Sequence, residues 1–267
     1  MRYLLKNEFS RLWKSKLLYV VCAINLFIVG LHIYSEVIPS TQWGIATAGY
    51  PLTVFEKWIG GETSSIFPML YFMLSPLMMA IPYGGTLQED LKSGYVKNVF
   101  TRGRRRDYLI AKYIVTFSTG FIAVLPLIVN FLLTATILPA DIPQASTGFY
   151  PIDATSLAGE LFYTHPYVYL GLWLLMDILF YGLLATLSLF AGLLSEYAYV
   201  AILTPFLVCM VLYGASVLAE NGAVAPTSFL APSQMDPANP LVIIGETILL
   251  LLVGGGYYYV GKKKEIY

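Results

Sequence analysis

Charge is what this sequence has least of. Only 12% of its 267 residues are Asp, Glu, Lys or Arg, about half the roughly 25% of an ordinary soluble domain. A water-soluble body of this length could not cover its surface with so few. Cysteine and histidine are scarce too, with two of each. Cys22 and Cys209 both sit in apolar runs, so they are expected to pack as small hydrophobes rather than to form a disulfide. No spacing suggests a metal site. The histidines, His32 and His165, fall at the ends of apolar runs, and no Gly-x-Ser-x-Gly or His-Glu-x-x-His pattern occurs. That argues against an intramembrane enzyme. A Gly-x-x-x-x-Gly-Lys-Ser/Thr phosphate loop is also missing, so the chain is not expected to hydrolyse ATP by that route. The first apolar run is long and lacks a small-residue cleavage site, so no removable signal is expected.

What is present is apolar length. Hydrophobic residues make up 57% of the chain. A spanning helix needs about 20 apolar residues, at about 1.5 Å each through a core about 30 Å thick. Six stretches qualify, roughly 17–34, 66–83, 113–138, 167–187, 199–218 and 241–261. The second carries Pro68, Pro76 and Pro82, and a kink is expected near Pro76. The fold class read here is an all-α membrane protein with six spans, forming a single domain.

Charge distribution orients those spans. Fifteen of the sixteen Lys and Arg fall in three clusters, at 2–16, 92–112 and 262–264, and only Lys57 lies elsewhere. The positive-inside rule then puts 1–16, 84–112, 188–198 and 262–267 in the cytoplasm, with both termini. The outer segments 35–65, 139–166 and 219–240 hold mainly acids. The expected location is the cell membrane. Because the basic clusters flank apolar spans, lipid rather than nucleic acid is the expected surface.

Two further elements stand out. In 1–16, Leu5, Phe9, Leu12 and Trp13 recur at helical spacing, which suits an interfacial helix along the inner membrane surface. Segment 219–240 holds four prolines around the short apolar stretch Ala223–Pro232, which is expected to be partly re-entrant.

Segment 84–112 is the most informative. Leu87, Leu91, Tyr95 and Val99 form an i, i+4 stripe, which predicts a short amphipathic helix. Gly94 interrupts it and allows a turn. Arg102, Arg104, Arg105 and Arg106 form a basic patch suited to anionic headgroups. Glu89 and Asp90, Gly94, Thr101 and Arg102, Arg106 and Lys112 together resemble the loop after span two in permease subunits of type-2 exporter ABC transporters. In that family an acidic residue, a Gly in a short helix, a Thr-Arg or Ser-Arg patch and a Lys at the next span follow in order. The stretch Gly103-Arg104-Arg105 departs from it, since the family often has a proline there. The resemblance covers the chain in topology and about thirty residues in motif.

It implies six spans, an N-terminal surface helix and a cytoplasmic coupling helix. It implies a partner ATP-binding cassette subunit that carries ATP and Mg, and a second permease subunit, identical or homologous. This chain would itself bind no cofactor. The expected partner-facing residues are Leu87, Glu89, Asp90, Leu91, Gly94, Tyr95 and Lys97. The substrate class is amphipathic: a peptide, lipid or antibiotic.

Ionisable or amide side chains inside spans are functional candidates by default. Here they are Asn25, Asn130, Asp177 and Glu246, the candidate transport path. Asp177 or Glu246 could instead couple protons in a secondary transporter, although internal repeats are not evident. Hydrogen bonding between helices is the structural alternative.

Overall fold

The computed structural model describes residues 1–42, 52–144, 152–153, 156–234 and 236–263. These form helices and turns, with no strand among the described residues. In chain order the α-helices are α1 (Arg2–Lys14), α2 (Lys16–His32), α3 (Val54–Lys57), α4 (Ile66–Ala80), α5 (Thr86–Lys92), α6 (Tyr95–Arg102), α7 (Arg105–Ser118), α8 (Gly120–Ala135), α9 (Gly159–Thr164), α10 (Pro166–Leu194), α11 (Ala198–Leu218), α12 (Pro226–Leu230) and α13 (Pro240–Lys263). A π-helical turn, Ile33–Val37, carries α2 on to Gln42.

Five helices are long and apolar enough to cross a membrane: Lys16–Gln42, Arg105–Ala135, Pro166–Leu194, Ala198–Leu218 and Pro240–Lys263. The chain is a multi-pass membrane protein. Its outer surface agrees: Leu26, Phe27, Leu207, Val211, Leu249 and Leu252 are all exposed, which a lipid solvent tolerates and water does not. The expected second span is the short one. α4 is apolar and passes through Pro76, but its 15 residues reach only about 22 Å. Pro82 and the Gly84–Gly85 pair follow at once and favour a turn over further helix. Helix length therefore supports five crossings and leaves the sixth open.

α10 is the axis of the bundle. It packs against α4, α7, α8, α11 and α13, and 67% of its apolar window is buried, against 17% for α13. Pro166 opens it, where a missing N–H costs nothing. Two glycines set its contact with the α7–α8 joint. A Cβ on Gly120 would lie 2.4 Å from the Gly182 nitrogen, and one on Gly182 would lie 2.7 Å from the Phe117 carbonyl. Such close backbone approach is how membrane helices gain packing where no hydrophobic force acts between them.

α1 is a 13-residue helix packed on its neighbour. It packs lengthwise on α7: the amino terminus meets Asp107, Glu8 meets Lys112, and Leu12 shares a cluster with Val115. The physical reason is Glu8, an acid buried by this packing and satisfied only there. α1, α5, α6, the start of α7 and the end of α13 gather at one end of the bundle, here termed the basic end.

At the opposite end, α12 packs into the bundle. Phe229 and Leu230 of α12 are buried in the main core. Trp173 Nε1 donates to the Phe229 carbonyl (3.2 Å), and the Ser233 N–H to the Gly60 carbonyl (2.8 Å). The backbone at Phe229 and Ser233 is thus bonded to other parts of the protein.

Candidate functional site

Three segments converge at the basic end around one lysine. Lys112 lies on α7, with Tyr108 one turn before it on the same face. Glu8 and Arg11 lie on α1 at i, i+3. Tyr83, Thr86 and Asp90 come from the turn after α4 and from α5. Lys112 and Glu8 are wholly buried, and Asp90 nearly so.

Lys112 Nζ meets three oxygens. Nζ lies 3.0 Å from Glu8 Oε2, 2.8 Å from Asp90 Oδ2 and 3.1 Å from Thr86 Oγ1. The faces of Tyr83 and Tyr108 flank it at 4.8 and 5.8 Å. Arg11 grips Asp90 with two parallel bonds, Nη2 to Oδ1 at 2.7 Å and Nη1 to Oδ2 at 3.0 Å. It also reaches Glu8 Oε2 at 3.2 Å. Tyr83 donates to Glu8 Oε2 (2.6 Å) and Tyr108 to Asp90 Oδ2 (2.7 Å). Two anions and two cations cancel. Burial pushes the Asp90 carboxyl up, but bonds from Arg11, Lys112 and Tyr108 outweigh it and hold the group below the usual carboxylate range.

A buried network of this kind fixes geometry more surely than it adds stability. Here it joins α1, α5 and α7 into one brace. Apolar packing extends the brace: Leu87 and Val96 are buried with Tyr108, Leu109, Leu189, Leu193 and Tyr257, and Leu91, Tyr95 and Val99 pack on that cluster. Gly94 takes φ +72°, the left-handed turn that separates α5 from α6.

The expected partner-facing set therefore divides. The stripe Leu87, Leu91, Tyr95 and Val99 packs on the chain's own core, and Asp90 is consumed by the network. Glu89 and Lys97 are exposed, beside exposed Lys92, Ser93 and Asn98. In the basic patch, Arg104 and Arg106 are exposed, while the Arg105 guanidinium lies 5.1 Å from the Phe100 ring. The Arg102 side chain and Lys264 lie outside the described residues.

The candidate path residues do not form one lining. Asn130 is at the far end, wholly buried, where its Oδ1 accepts from the Ile59 N–H (2.8 Å) and its Nδ2 meets His32 Nδ1 (3.1 Å). His32 Nε2 meets Glu62 Oε2 (3.0 Å), and Lys57 Nζ donates to Glu62 Oε1 (2.8 Å). Burial pushes Glu62 up, but His32 and Lys57 bring it below its ordinary value. Asn25 is nearly buried and donates to its own Val21 carbonyl (3.0 Å). Asp177 is wholly buried in α10, and neither of its oxygens has a hydrogen-bond partner among the described residues. Glu246 is on α13, half buried. Among the described residues, no group of His, Cys, Asp and Glu is placed to hold a metal.

No family model, curated protein or solved structure matches the chain. Function must therefore be argued from the geometry.

Sequence reasoning missed Glu8, Arg11, Tyr83 and Tyr108 as members of one site. A signal existed: Glu8 is the lone acid among sixteen residues that carry five Lys and Arg. An acid in such company needs a reason. The His32–Glu62–Lys57 link was equally invisible, although Lys57 is the one cation outside the three clusters.

Proposed function

We propose that this chain is the membrane-spanning subunit of an ATP-driven exporter of an amphipathic substrate, with ATP hydrolysed by a separate cassette subunit. The observation that carries this reading is the brace at the basic end. α5 and α6 present exposed Glu89, Lys92, Ser93, Lys97 and Asn98 on one side. On the other side they are bound to α1 and to α7 by ion pairs and apolar packing. A push on that surface is delivered to α7, which runs on through α8 to Ala135. That is the mechanical requirement for a coupling helix. On this reading the basic end is cytoplasmic, α4 completes a sixth crossing, and a second such subunit joins the complex to enclose the path.

The test is assembly. Co-expression with candidate cassette subunits should yield a complex whose ATPase rate responds to substrate. Reversing Glu89→Lys, Lys92→Glu and Lys97→Glu together should abolish co-purification while the chain itself stays folded. A triple variant that assembles and transports normally would sink the proposal.

A second reading has its own observation. Asp177, buried with no hydrogen-bond partner among the described residues, suits a proton-coupled secondary transporter, because intramembrane carboxyls of this kind serve proton relays. The two readings separate in vesicles: transport that persists without ATP and stops with a protonophore favours the second.

A further inference from the structure

A cavity of about 340 Å³ opens at the basic end, where the α1–α2 elbow meets the turn after α4 and the start of α11. One wall is apolar and includes Leu17, Ile81 and Ile202. The other is polar, and most of its groups are already engaged. Arg11 is held by Asp90 and Glu8, and Thr86 accepts from Lys112. Lys14 and Glu89 are the exceptions. Both line the cavity and both are exposed. Among the described residues, neither side chain has an ion pair or a hydrogen bond. They carry opposite charge in one cavity, yet they do not meet each other.

The cavity lies where membrane helices begin and end. The spans Lys16–Gln42 and Ala198–Leu218 both start beside it, and α4 ends there at Ala80. Leu17 is exposed, so the apolar wall opens toward lipid. Helix ends at this level meet the headgroup layer. A free cation and a free anion across one small cavity call for a ligand that carries both signs a few bonds apart. The phosphate and ammonium of phosphatidylethanolamine do so, and its chains match the apolar wall. A choline headgroup has no N–H for Glu89, and a phosphatidylglycerol headgroup leaves Glu89 facing like charge.

We propose that this cavity binds the headgroup of one phosphatidylethanolamine of the leaflet at the basic end. Its phosphate meets Lys14, its ammonium meets Glu89, and the start of a chain lies on Leu17 and Ile202. The inference rests on the membrane reading and not on export. It is tested on the chain alone, without a cassette subunit, so the two readings fail separately.

The full chain in detergent is exposed to an equimolar mixture of phosphatidylethanolamine, phosphatidylcholine and phosphatidylglycerol and weighed intact by native mass spectrometry. Phosphatidylethanolamine should be retained over each of the others by about fivefold, the upper scale of one exposed ion pair. Glu89→Gln should erase that preference. Lys14→Gln should lower retention of all three lipids. Ser15 lines the cavity and its side chain makes no capping bond, so Ser15→Trp should fill the space and lose the retained lipid. Helical circular dichroism and monodispersity show that each variant is folded. Retention unchanged by Ser15→Trp would overturn the site. A preference that is absent, or that survives Glu89→Gln, would overturn the ammonium assignment, and retention unchanged by Lys14→Gln the phosphate assignment. Glycerophosphoethanolamine, which has the headgroup without chains, should bind far more weakly. Equal binding would show a soluble zwitterion and overturn the lipid.

Discussion

The basic end and the middle of the bundle treat buried charge in opposite ways. At the basic end, buried Glu8, Asp90 and Lys112 meet half-buried Arg11, their charges cancel, and Lys112 Nζ lies within 3.1 Å of three oxygens. In the middle, Asp177 is just as buried and has no partner for either oxygen among the described residues. The phenol of Tyr181, one turn along the same face, likewise has no hydrogen-bond partner among the described residues. Burial is equal, so partners decide what each site can do. The first is a joint, costly to break at any member. The second is a place where a substitution removes no hydrogen bond found among the described residues.

Breaking the joint should have the largest effect. Lys112→Met leaves Glu8 and Asp90 with Arg11 as their single cation, which should cost about 3–5 kcal/mol, the usual penalty for orphaning a buried charge. Thermal unfolding in a native-like bilayer would read it. Adding Glu8→Gln to Lys112→Met should recover part of the loss, because the Arg11–Asp90 pair is then left balanced. A strictly additive double variant would show that the two groups do not interact. The far end is a smaller version of the same contrast. Asn130→Leu strips the Ile59 N–H of its acceptor and His32 of its neighbour, an expected loss of about 1–3 kcal/mol. Hydrogen exchange at Ile59 should rise in parallel.

Acidity should also separate the two ends. Asp90 is depressed when folded, so its contribution is complete above the ordinary value of about 3.9 and is lost as pH falls through the lower folded value. Protection of α1 should hold from neutral pH down to about 4 and fail only below. Glu56, at the far end, goes the other way. Burial raises it to about 7, against weaker lowering by the Thr53 N–H and by Lys57. Its contribution is complete below about 4.3 and fades as pH rises through about 7. Amides of Val54–Trp58 should therefore exchange faster, beyond the intrinsic pH effect, on going from pH 6 to 8. No such change would contradict the buried placement of Glu56.

The parts of this fold that follow from apolar length were legible in the sequence, because a spanning helix declares itself in twenty consecutive residues. That holds for the long helices ending near Gln42, Ala135, Leu194, Leu218 and Lys263. α4 was harder, since Pro82 lies inside an apolar run and its effect on helix length depends on the turn that follows. The stripe Leu87, Leu91, Tyr95 and Val99 follows helical period in the sequence, but period alone does not say which body it faces. Leu87 and Leu91 face the chain's own core. The charge network was invisible because its members are separated by up to about a hundred residues, and pairing at that range is set by helix packing rather than spacing. Asn130 shows the same limit: as a polar residue in a span it was a candidate for the transport path, and its actual partners, Ile59 and His32, lie far off in sequence.

The smallest structural effect is the one that best tests the comparison. Asp177→Asn keeps the shape of the side chain and removes only its capacity to ionise. Since neither oxygen accepts or donates a hydrogen bond among the described residues, no bond is lost, and stability should change by less than about 1 kcal/mol. Thermal unfolding beside Lys112→Met makes the difference directly visible. A loss as large as that of Lys112→Met would mean that Asp177 has a strong partner in the folded membrane protein, and the contrast between the two sites would fail. If stability is kept, transport becomes the informative measurement. Under the proposed export function, substrate export by Asp177→Asn that equals wild type would leave the carboxyl without a role in the path. Export that falls at unchanged stability and unchanged ATPase assembly makes ionisation at Asp177 part of the transport cycle, because a change of protonation is what the amide cannot supply.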